Sequence, residues 1–270
     1  MRTIRAKSKE LNVADYKMRR ALDTDVKEIV SEPTTIVDER GDIKVIYDVL
    51  PFDTAPYLEA IQRIKYQETE RTAGLKTVSR IFGFSPRVTL RKDFCLATSL
   101  VKESPEEHEM IIKLGQEVSK LYLAQAPRKY QEHSDTTQKV REEYQIPGTP
   151  FTSGIINKNN PLKYHFDTGN FKQVFSCMVA FKKNCEGGHL ALPEYDMALE
   201  IADNSVLLFD GQEILHGVTP FEIKDEGYRY TVVFYSLRRM WECLTVTDEI
   251  ARIRKLKTER EKKRVNNNGK

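Results

Sequence analysis

Cysteine is scarce in this sequence, and its four positions do not form a recognisable motif. Cys95, Cys177, Cys185 and Cys243 include no CxxC spacing and no regular spacing that would suggest a disulfide framework. A structural zinc site built from closely spaced thiolates is therefore not expected. The same pattern predicts reduced thiols in an intracellular protein rather than a network of disulfides.

Long apolar runs are also absent. No stretch approaches the about 18 residues that a membrane-spanning helix needs. Residues 1–10 carry basic side chains but lack the apolar segment of a secretory signal. We therefore expect no membrane partner and an intracellular location, in the nucleus of a eukaryote or in the cytoplasm or host cytoplasm otherwise. No protein partner is evident from the sequence.

The chain has little net charge, but its basic residues are unevenly distributed. A net charge of +3 over 270 residues, with 40% hydrophobic residues, is typical of a soluble globular protein and does not itself indicate nucleic-acid binding. Residues 252–270, however, hold nine Lys/Arg against two Asp/Glu. Basic and aromatic residues also alternate over 76–95, which suits a surface that contacts phosphates and stacks bases. The alternative for 76–95 is a strand pair with core aromatics and solvated basic residues.

The hydrophobic period changes from helical to strand-like along the chain. Residues 1–32 are polar and predict a frayed arm or a short surface helix. Strands are expected at 34–38 and 43–47, and helices from 53 or 54 to about 67 and from 104 to just before Pro127. His108 and His133 are interpreted as ordinary surface residues. After Pro150, six β-rich runs separated by turns predict a sandwich or barrel: 151–157, 173–181, 189–192, 197–201, 205–209 and 228–237.

Two histidines and one aspartate in this β-rich region form a candidate metal site. His165 and Asp167 are two positions apart, so on a strand their side chains point to the same face. His216 follows another apolar strand and a turn. Two imidazoles and one carboxylate can hold Fe(II) on one side and leave positions open for a co-substrate and O2. His189 is an alternative fourth ligand, but we interpret it as a surface or core residue; purely structural histidines are the other alternative.

An arginine in the last predicted strand completes this pattern. Arg229 follows His216 by 13 residues, and its rigid guanidinium group can clamp a carboxylate of a keto-acid co-substrate. HxD alone is a weak signal. The order of strands, turns and side chains is more specific, because a double-stranded β-helix brings both ends of such a set around one ion.

The sequence resembles the Fe(II)/2-oxoglutarate dioxygenases, and among them the ten-eleven-translocation and J-binding-protein branch, in a minimal form. Three segments carry the resemblance, over roughly 148–240: His165 to Asn170 (HxDxxN), Gly187 to Tyr195 (GGxLxLPEY) and Arg229 to Tyr235 (RxS/TxVFY). It implies an α+β fold with a double-stranded β-helix (jelly-roll or cupin-like) core and flanking helices. The implied domains are an arm at 1–32, a dioxygenase domain at 33–249 with helical support at about 53–130, and a basic tail at 250–270.

The resemblance also implies roles for individual residues. His165, Asp167 and His216 would bind Fe(II), and Arg229 and Thr231 would bind 2-oxoglutarate, with O2 as the second co-substrate. Asn170 would contact the pairing edge of a flipped pyrimidine, or else be a turn residue, and Tyr235 would stack near that base, or else be a core aromatic. Leu237 stands where the animal enzymes have a histidine, and four scattered cysteines cannot build their zinc-binding extension.

The expected function is oxidation of the 5-methyl group of a pyrimidine in single- or double-stranded DNA, of 5-methylcytosine or of thymine. The alternatives are a 2-oxoglutarate-dependent hydroxylase of a free amino acid, nucleoside or peptide, an AlkB-like repair demethylase, and a non-catalytic DNA-binding protein with a decayed site. The Gly-Gly turn segment fits an AlkB-like enzyme poorly. The four intact residues His165, Asp167, His216 and Arg229 argue against a decayed site.

Overall fold

Two β-sheets face each other, and helices cover the outer face of the larger one. The computed structural model describes residues 1–16, 18–71, 75–87 and 94–268, and the side chains of these except 69–71, 75 and 265–268. The strands are β1 (Arg2–Arg5), β2 (Glu28–Val30), β3 (Thr34–Val37), β4 (Ile43–Val49), β5 (Gln67–Arg71), β6 (Leu75–Ser85), β7 (Leu96–Ala97), β8 (Ser153–Lys158), β9 (Ser176–Gly187), β10 (Leu190–Leu192), β11 (Met197–Leu199), β12 (Ser205–Phe209), β13 (Gly217–Val218) and β14 (Phe221–Tyr235). The helices are α1 (Ala55–Arg63), α2 (Ser99–Glu103), α3 (Pro105–Gln125), α4 (Pro127–Thr137) and α5 (Val246–Asn268). Short 3-10 helices lie at Val13–Asp15, Asp23–Asp25, Glu142–Tyr144, Pro193–Tyr195 and Arg238–Glu242.

The strand order explains how distant parts of the sequence meet. The large sheet has the order β1-β3-β4-β12-β9-β14-β8-β6-β5, with β7 paired to β6, and the small sheet has the order β13-β10-β11-β2. Helices α1 and α3 pack on each other, and α3 starts with Pro105 and two acidic residues, which favour a helix N-terminus. The result is the predicted α+β arrangement of a double-stranded β-helix with flanking helices.

Alternate residues of the large sheet pack into different cores. On β12, Val206 and Leu208 belong to the cluster that includes the helices, whereas Leu207 and Phe209 pack with the small sheet. This alternation follows from the two-residue period of a strand. On β14 the even-numbered residues Tyr230, Val232 and Phe234 pack in the helix-side cluster. The odd-numbered residues of β14, which include Arg229 and Thr231, therefore point toward the space between the sheets.

The N-terminal residues belong to both sheets, so the prediction of a frayed arm or surface helix for 1–32 is wrong in its secondary structure. β1 runs parallel to β3, and β2 runs parallel to β11. Both pairings supply edge strands whose partners lie more than thirty residues away in the sequence, and local composition cannot reveal such partners. The domain boundaries at 32 and 249 remain predictions.

Neither of the two histidines that were predicted to be ordinary surface residues is exposed. His133 is fully buried, its Nε2 lies 2.8 Å from the Ser236 hydroxyl, and burial lowers its pKa to about 3. His108 is half-buried, and its Nε2 accepts a hydrogen bond from the Gly83 N–H at 3.3 Å. Both rings are therefore held as neutral structural groups, because a buried imidazolium without a carboxylate would be costly.

The cysteine prediction also needs correction. Cys95 and Cys243, which are 148 residues apart, form a disulfide with a Cα–Cα distance of 5.8 Å. Cys177 and Cys185 are free, as predicted. Sequence spacing cannot show which distant residues a β-rich fold brings together, so this pairing is visible only in three dimensions. In the ranges that the structure describes, no helix is long and apolar enough to cross a membrane.

The alternating basic and aromatic segment at 76–95 is mostly committed to structure. Arg80 is buried and forms an ion pair with Glu103, and Arg87 forms one with the fully buried Glu249. Phe82 is a core residue. Both guanidinium groups are therefore paired with carboxylates, which favours the alternative of a strand pair for this part of the segment. Arg91 and Lys92, two further basic residues of this segment, lie outside the described residues.

Candidate metal and co-substrate site

Two loop segments, rather than two regular strands, bring the metal-ligand candidates together. His165 lies in an isolated antiparallel bridge with His216, in which each residue's N–H donates to the other's carbonyl oxygen at 2.9 and 3.2 Å. The Asp167 N–H donates to the Gly211 carbonyl oxygen at 2.7 Å. The sequence predicted a strand at His165 and Asp167. Only this short bridge is strand-like, but it has the same effect of directing the side chains to one place.

Ligand atoms of His165, Asp167 and His216 all lie within 4.8 Å of one another. The Asp167 Oδ1 is 3.6 Å from the His165 Nε2 and 3.9 Å from the His216 Nε2. His216 is buried, whereas the other two side chains are about 30% exposed, at 31% for His165 and 29% for Asp167. The cluster is therefore anchored in the core at His216 and reaches the surface at His165 and Asp167.

Backbone carbonyl groups fix the orientation of both imidazoles. The Nδ1 of His165 lies 2.7 Å from the Lys163 carbonyl oxygen, and the Nδ1 of His216 lies 2.9 Å from that of Ile214. A carbonyl oxygen can only accept, so each Nδ1 carries a proton, and in the neutral ring each Nε2 presents its lone pair. Metal-binding histidines are commonly oriented in this way. The donor set thus fits a divalent ion with open positions, as Fe(II) has in the facial triad.

A glycine makes room for the carboxylate. A Cβ added at Gly211 would collide with the Asp167 Oδ2 and lie 3.0 Å from its Cγ and 3.3 Å from the His216 Cε1. Gly211 has no unusual backbone angle in the structure, so its role is to leave space. The only signal of Gly211 in the sequence is the Asp210-Gly211 pair, which is typical of a turn and does not indicate a place at a metal site.

Arg229 is a buried cation without a carboxylate partner in the part of the chain that the structure describes. The residue is 3% exposed, its Nε has no hydrogen-bond partner, and one terminal nitrogen lies 3.5 Å from the Gly188 carbonyl oxygen. Burial lowers the pKa of Arg229 to about 10. An unpaired buried charge is costly, so this environment calls for an anionic ligand. A carboxylate of 2-oxoglutarate fits it, since the guanidinium fork matches a carboxylate.

Neighbours of Arg229 support the same interpretation. A Cβ at Gly188 would lie 3.1 Å from the Arg229 Nε, so the Gly-Gly turn gives the guanidinium group its space. Thr231 lies two residues along β14, on the same face, and its Oγ1 accepts from the Asn157 Nδ2 at 3.3 Å. Because that oxygen already accepts, the hydroxyl proton is available to donate to a carboxylate.

The two predicted base contacts lie in different surroundings. Tyr235 lines a cavity of about 300 Å³ together with Thr168 and Gly169, which directly follow Asp167. Asn170 is buried, and its Nδ2 donates to the Ser176 Oγ at 3.3 Å; it is not among the residues that line this cavity. Both roles remain predictions. His189, the alternative fourth ligand, instead lies 3.2 Å from an Asp23 carboxylate oxygen.

The fold and this site define the class of 2-oxoglutarate- and Fe(II)-dependent oxygenases. The model of the Tet_JBP family, described as the oxygenase domain of the 2OGFeDO superfamily, matches residues 85–238, and the chain belongs to that family. Membership implies Fe(II), 2-oxoglutarate and O2, and the ligand set and the buried Arg229 fit the first two. The resemblance and the oxygenase class inferred from sequence are confirmed.

Curated relatives and a solved structure show similarity over different shares of the chain. The chain is 26% identical over 169 residues to "Thymine dioxygenase JBP1" of Trypanosoma brucei brucei, covering 62% of this chain and 20% of that protein. It is 26% identical over 221 residues to "Bifunctional helicase and thymine dioxygenase JBP2" of Leishmania major, covering 78% of this chain and 20% of that protein. The chain thus spans about a fifth of the length of these relatives.

The structural comparison confirms the predicted fold. "NgTET1 in complex with 5mC DNA" aligns with a TM-score of 0.58 at 17% identity and covers 83% of this chain and 81% of that one. Together with the family match, this alignment confirms the double-stranded β-helix core with flanking helices.

Proposed function

We propose that this protein oxidises the 5-methyl group of a pyrimidine base in DNA, using Fe(II), 2-oxoglutarate and O2. The observation that carries the proposal is the set of three ligands His165, Asp167 and His216 in a fold that also buries an unpaired Arg229. The names of the relatives support the substrate class, since two are thymine dioxygenases and the solved neighbour is held with 5mC DNA. Either 5-methylcytosine or thymine is compatible with the site.

Each residue of the site has a separate task in this proposal. His165, Asp167 and His216 hold the iron, and Arg229 with Thr231 binds the distal carboxylate of 2-oxoglutarate. The bound iron, 2-oxoglutarate and O2 supply a two-electron oxidation in which one oxygen atom enters the methyl group and the other enters succinate as CO2 leaves. The protein positions the methyl group beside the open side of the metal site and excludes water from it.

The target base must leave the helical stack to reach this site. The cavity that Tyr235 lines is also lined by Thr168 and Gly169, the two residues that follow Asp167, and we propose that it receives the base. A base stacked within a duplex cannot reach such a cavity. Tyr235 is proposed to stack on the flipped base, and Asn170 is the sequence-predicted contact to its pairing edge. A single-stranded substrate would avoid the cost of unpairing.

The basic helix α5 is the proposed contact to the DNA backbone. Its exposed part, residues 254–264, is rich in Lys and Arg, and its first turn is held by the buried Glu249. Phosphate contacts of this kind make affinity fall steeply as salt concentration rises. A DNA substrate also places the protein inside the cell, in the nucleus of a eukaryote and in the cytoplasm or host cytoplasm otherwise.

Succinate release tests the proposal with one readout. Protein loaded with Fe(II) and 2-oxoglutarate is expected to release succinate faster with 5-methylated duplex DNA than with the same sequence in which cytosine and uracil replace the methylated bases. Equal rates with both DNAs would contradict the proposal. An Asp167→Ala variant is the control, because it lacks the carboxylate ligand.

A small-molecule hydroxylase is a second candidate because of one specific observation. Arg80 and Arg87, two basic side chains of the segment 76–95, are paired with Glu103 and Glu249. This leaves the DNA contact to other residues, chiefly α5. Succinate release that is stimulated by a free amino acid or nucleoside but not by methylated DNA would favour this second candidate.

A further inference from the structure

Resting on the proposed function, we propose that the exposed indole of Trp241 stacks on a base next to the flipped one, and that cations beside it bind the adjoining phosphates. Trp241 is the only tryptophan of the chain and is 38% exposed. Exposed apolar residues are common on protein surfaces, so the surroundings of the indole decide what it can bind.

The 3-10 helix Arg238–Glu242, which carries Trp241, is held against the loop that follows the metal ligand Asp167. The Arg238 N–H donates to the Gly169 carbonyl oxygen at 3.0 Å. An isolated antiparallel bridge joins the residues next to these two, one on each segment. The surface around Trp241 is therefore fixed to the segment that supplies the carboxylate ligand.

The same helix also reaches the cavity that is proposed to receive the base. Arg239 lines this cavity together with Thr168 and Gly169, and it lies two residues before Trp241. Enzymes that bind a flipped base also contact the nucleotides on either side of it. A strand with one base in the cavity would therefore bring a neighbouring nucleotide to the helix that carries Trp241.

The indole is held in place by one aromatic neighbour. Phe171 is buried, and its ring stacks on that of Trp241 with a centroid distance of 5.0 Å and an interplanar angle of 27°. Because Phe171 covers one face, the exposed part of the indole is its other face and its edges. A ring that is already ordered loses little conformational freedom when a base stacks on it.

A lysine ammonium group lies near the exposed ring. The Lys139 Nζ is 5.3 Å from the centroid of the Trp241 ring, and the lysine side chain is exposed. A lysine is a flexible chain with a compact charge, so its ammonium group can move from the ring to a phosphate. The pair thus combines a stacking platform with a cation, as surfaces that bind single strands do.

Further cations lie next to this pair. Lys139, Lys172 and Arg238 are exposed, and none has a carboxylate partner within the ranges that the structure describes. The Arg239 Nε is 3.9 Å from a Glu242 carboxylate oxygen, and both side chains are about half exposed. An exposed pair at this distance is weak, so Arg239 can exchange its partner for a phosphate.

A protein partner is the main alternative for an exposed tryptophan. Leu244 and Val246 are also 38% exposed and follow Trp241 closely in the sequence. An apolar protein surface, however, would bury Arg238 and Lys139 without supplying anions, which is costly. A DNA strand supplies a flat apolar base and phosphates together, so the charges of this surface favour DNA.

The emission of Trp241 reports on this surface alone, because the chain holds no second tryptophan. The test titrates wild-type protein, loaded with Co(II) and 2-oxoglutarate, with a single-stranded oligonucleotide that contains one 5-methylcytosine. Stacking on a base is expected to quench the emission saturably. An abasic site at one of the two positions that flank the methylated base is expected to weaken this quenching.

Oligonucleotide anisotropy supplies the matching affinities. Trp241→Leu is expected to raise the Kd about tenfold, and Trp241→Phe, which keeps a ring, to raise it no more than about threefold. The control is Leu123→Ala, since Leu123 is an exposed apolar residue on α3. The Tm and the Kd for 2-oxoglutarate should stay unchanged in Trp241→Leu.

The salt dependence of binding tests the cations separately. Arg238→Gln and Lys139→Gln are each expected to reduce the slope of log Kd against log salt concentration by about one. Arg40→Gln is the control, because Arg40 is exposed in the turn between β3 and β4. Slopes equal to the wild-type value in all three variants would contradict the phosphate contacts.

The outcomes distinguish this inference from the proposed function. Oligonucleotide binding without a change in Trp241 emission, in a protein that oxidises methylated DNA, would overturn the inference alone. Quenching without oxidation of any base would contradict the proposed function and support the binding surface. Emission that changes with protein concentration in the absence of DNA, together with a doubled mass, would assign the surface to a second copy of the chain and overturn the inference.

Discussion

His165 and His216 share one kind of orienting hydrogen bond but differ in their surroundings. Each imidazole donates from Nδ1 to a carbonyl group two residues earlier in the chain. His216 is buried against the Phe209 ring, at a centroid distance of 5.0 Å, whereas the His165 side chain is 31% exposed. His216 therefore anchors the site to the core, and His165 lies on its more exposed side.

Replacing His216 by alanine is expected to abolish tight binding of a divalent metal, lowering affinity by at least about 100-fold, because the two remaining ligands cannot hold the ion in one geometry. Isothermal titration with Co(II) under reducing conditions measures this. His189→Ala is the matched control, since His189 lies against Asp23 rather than in the metal cluster. Equal losses in the two variants would contradict the assignment.

Gly211→Ala is expected to weaken metal binding by about tenfold or more while leaving the fold intact. The added methyl group would collide with the Asp167 carboxylate and displace it from the two imidazoles. Alanine is compatible with the backbone here, so the change in Tm should be small. Co(II) affinity that matches the wild-type value would show that Gly211 has no spatial role at the site.

Arg229 is expected to determine the affinity for 2-oxoglutarate. Arg229→Gln should raise the KM for 2-oxoglutarate by about 100-fold or more, because it removes a buried charge-assisted bidentate contact. Binding of the co-substrate should also raise the pKa of Arg229 above its value of about 10 in the free protein, since a carboxylate stabilises the charged form. An unchanged KM would place the co-substrate carboxylate elsewhere.

At the scale of elements, α5 is attached to the rest of the protein through the buried carboxylate of Glu249 and through Glu143, whose Oε1 accepts from the Val246 N–H at 2.7 Å. Glu249 is fully buried and accepts hydrogen bonds from the Arg87 guanidinium group (Nε to Oε1, 2.9 Å) and from the Leu244 N–H (3.0 Å). The Cys95–Cys243 disulfide ties the chain together just before this helix. Burial alone would raise the pKa of Glu249, but these hydrogen bonds bring it below its ordinary value of 4.5.

Glu249→Gln is expected to lower the free energy of unfolding by about 2–3 kcal/mol, because Arg87 loses its charged partner. A lowered folded-state pKa means that this stabilisation is complete above pH 4.5 and is lost as the pH falls through the folded-state value. Urea denaturation at pH 7 and pH 3 measures both effects, and the two proteins should become similar at pH 3. Glu261→Gln, an exposed change on the same helix, is the control. A difference that persists at pH 3 would contradict the explanation.

The elements also show what the sequence could and could not predict. The helix from Pro105 and the strand from Ser205 to Phe209 were predicted closely, because caps and hydrophobic periods are local signals. The partners of Arg87 and Cys95 lie 162 and 148 residues away, and no local pattern encodes such distances. The parallel strands β1 and β2 were missed for the same reason.

At the scale of the whole molecule, the fold encloses the site with groups from both sheets. The metal-ligand candidates lie between the sheets on two loop segments, while Arg229 and Thr231 come from the large sheet. The motif residues were identified from sequence because their type and order follow the chemistry of the site. Gly211 was not, because its importance depends on what lies next to it in space.

The most direct test of this account is mass spectrometry of nucleosides from DNA that contains 5-methylcytosine and thymine, after incubation with the protein, Fe(II), 2-oxoglutarate and ascorbate. We expect 5-hydroxymethylcytosine or 5-hydroxymethyluracil to appear, and to be absent when His165→Ala or Asp167→Ala replaces the wild-type protein. Turnover of 2-oxoglutarate without any oxidised base would contradict the account and direct attention to a small-molecule substrate.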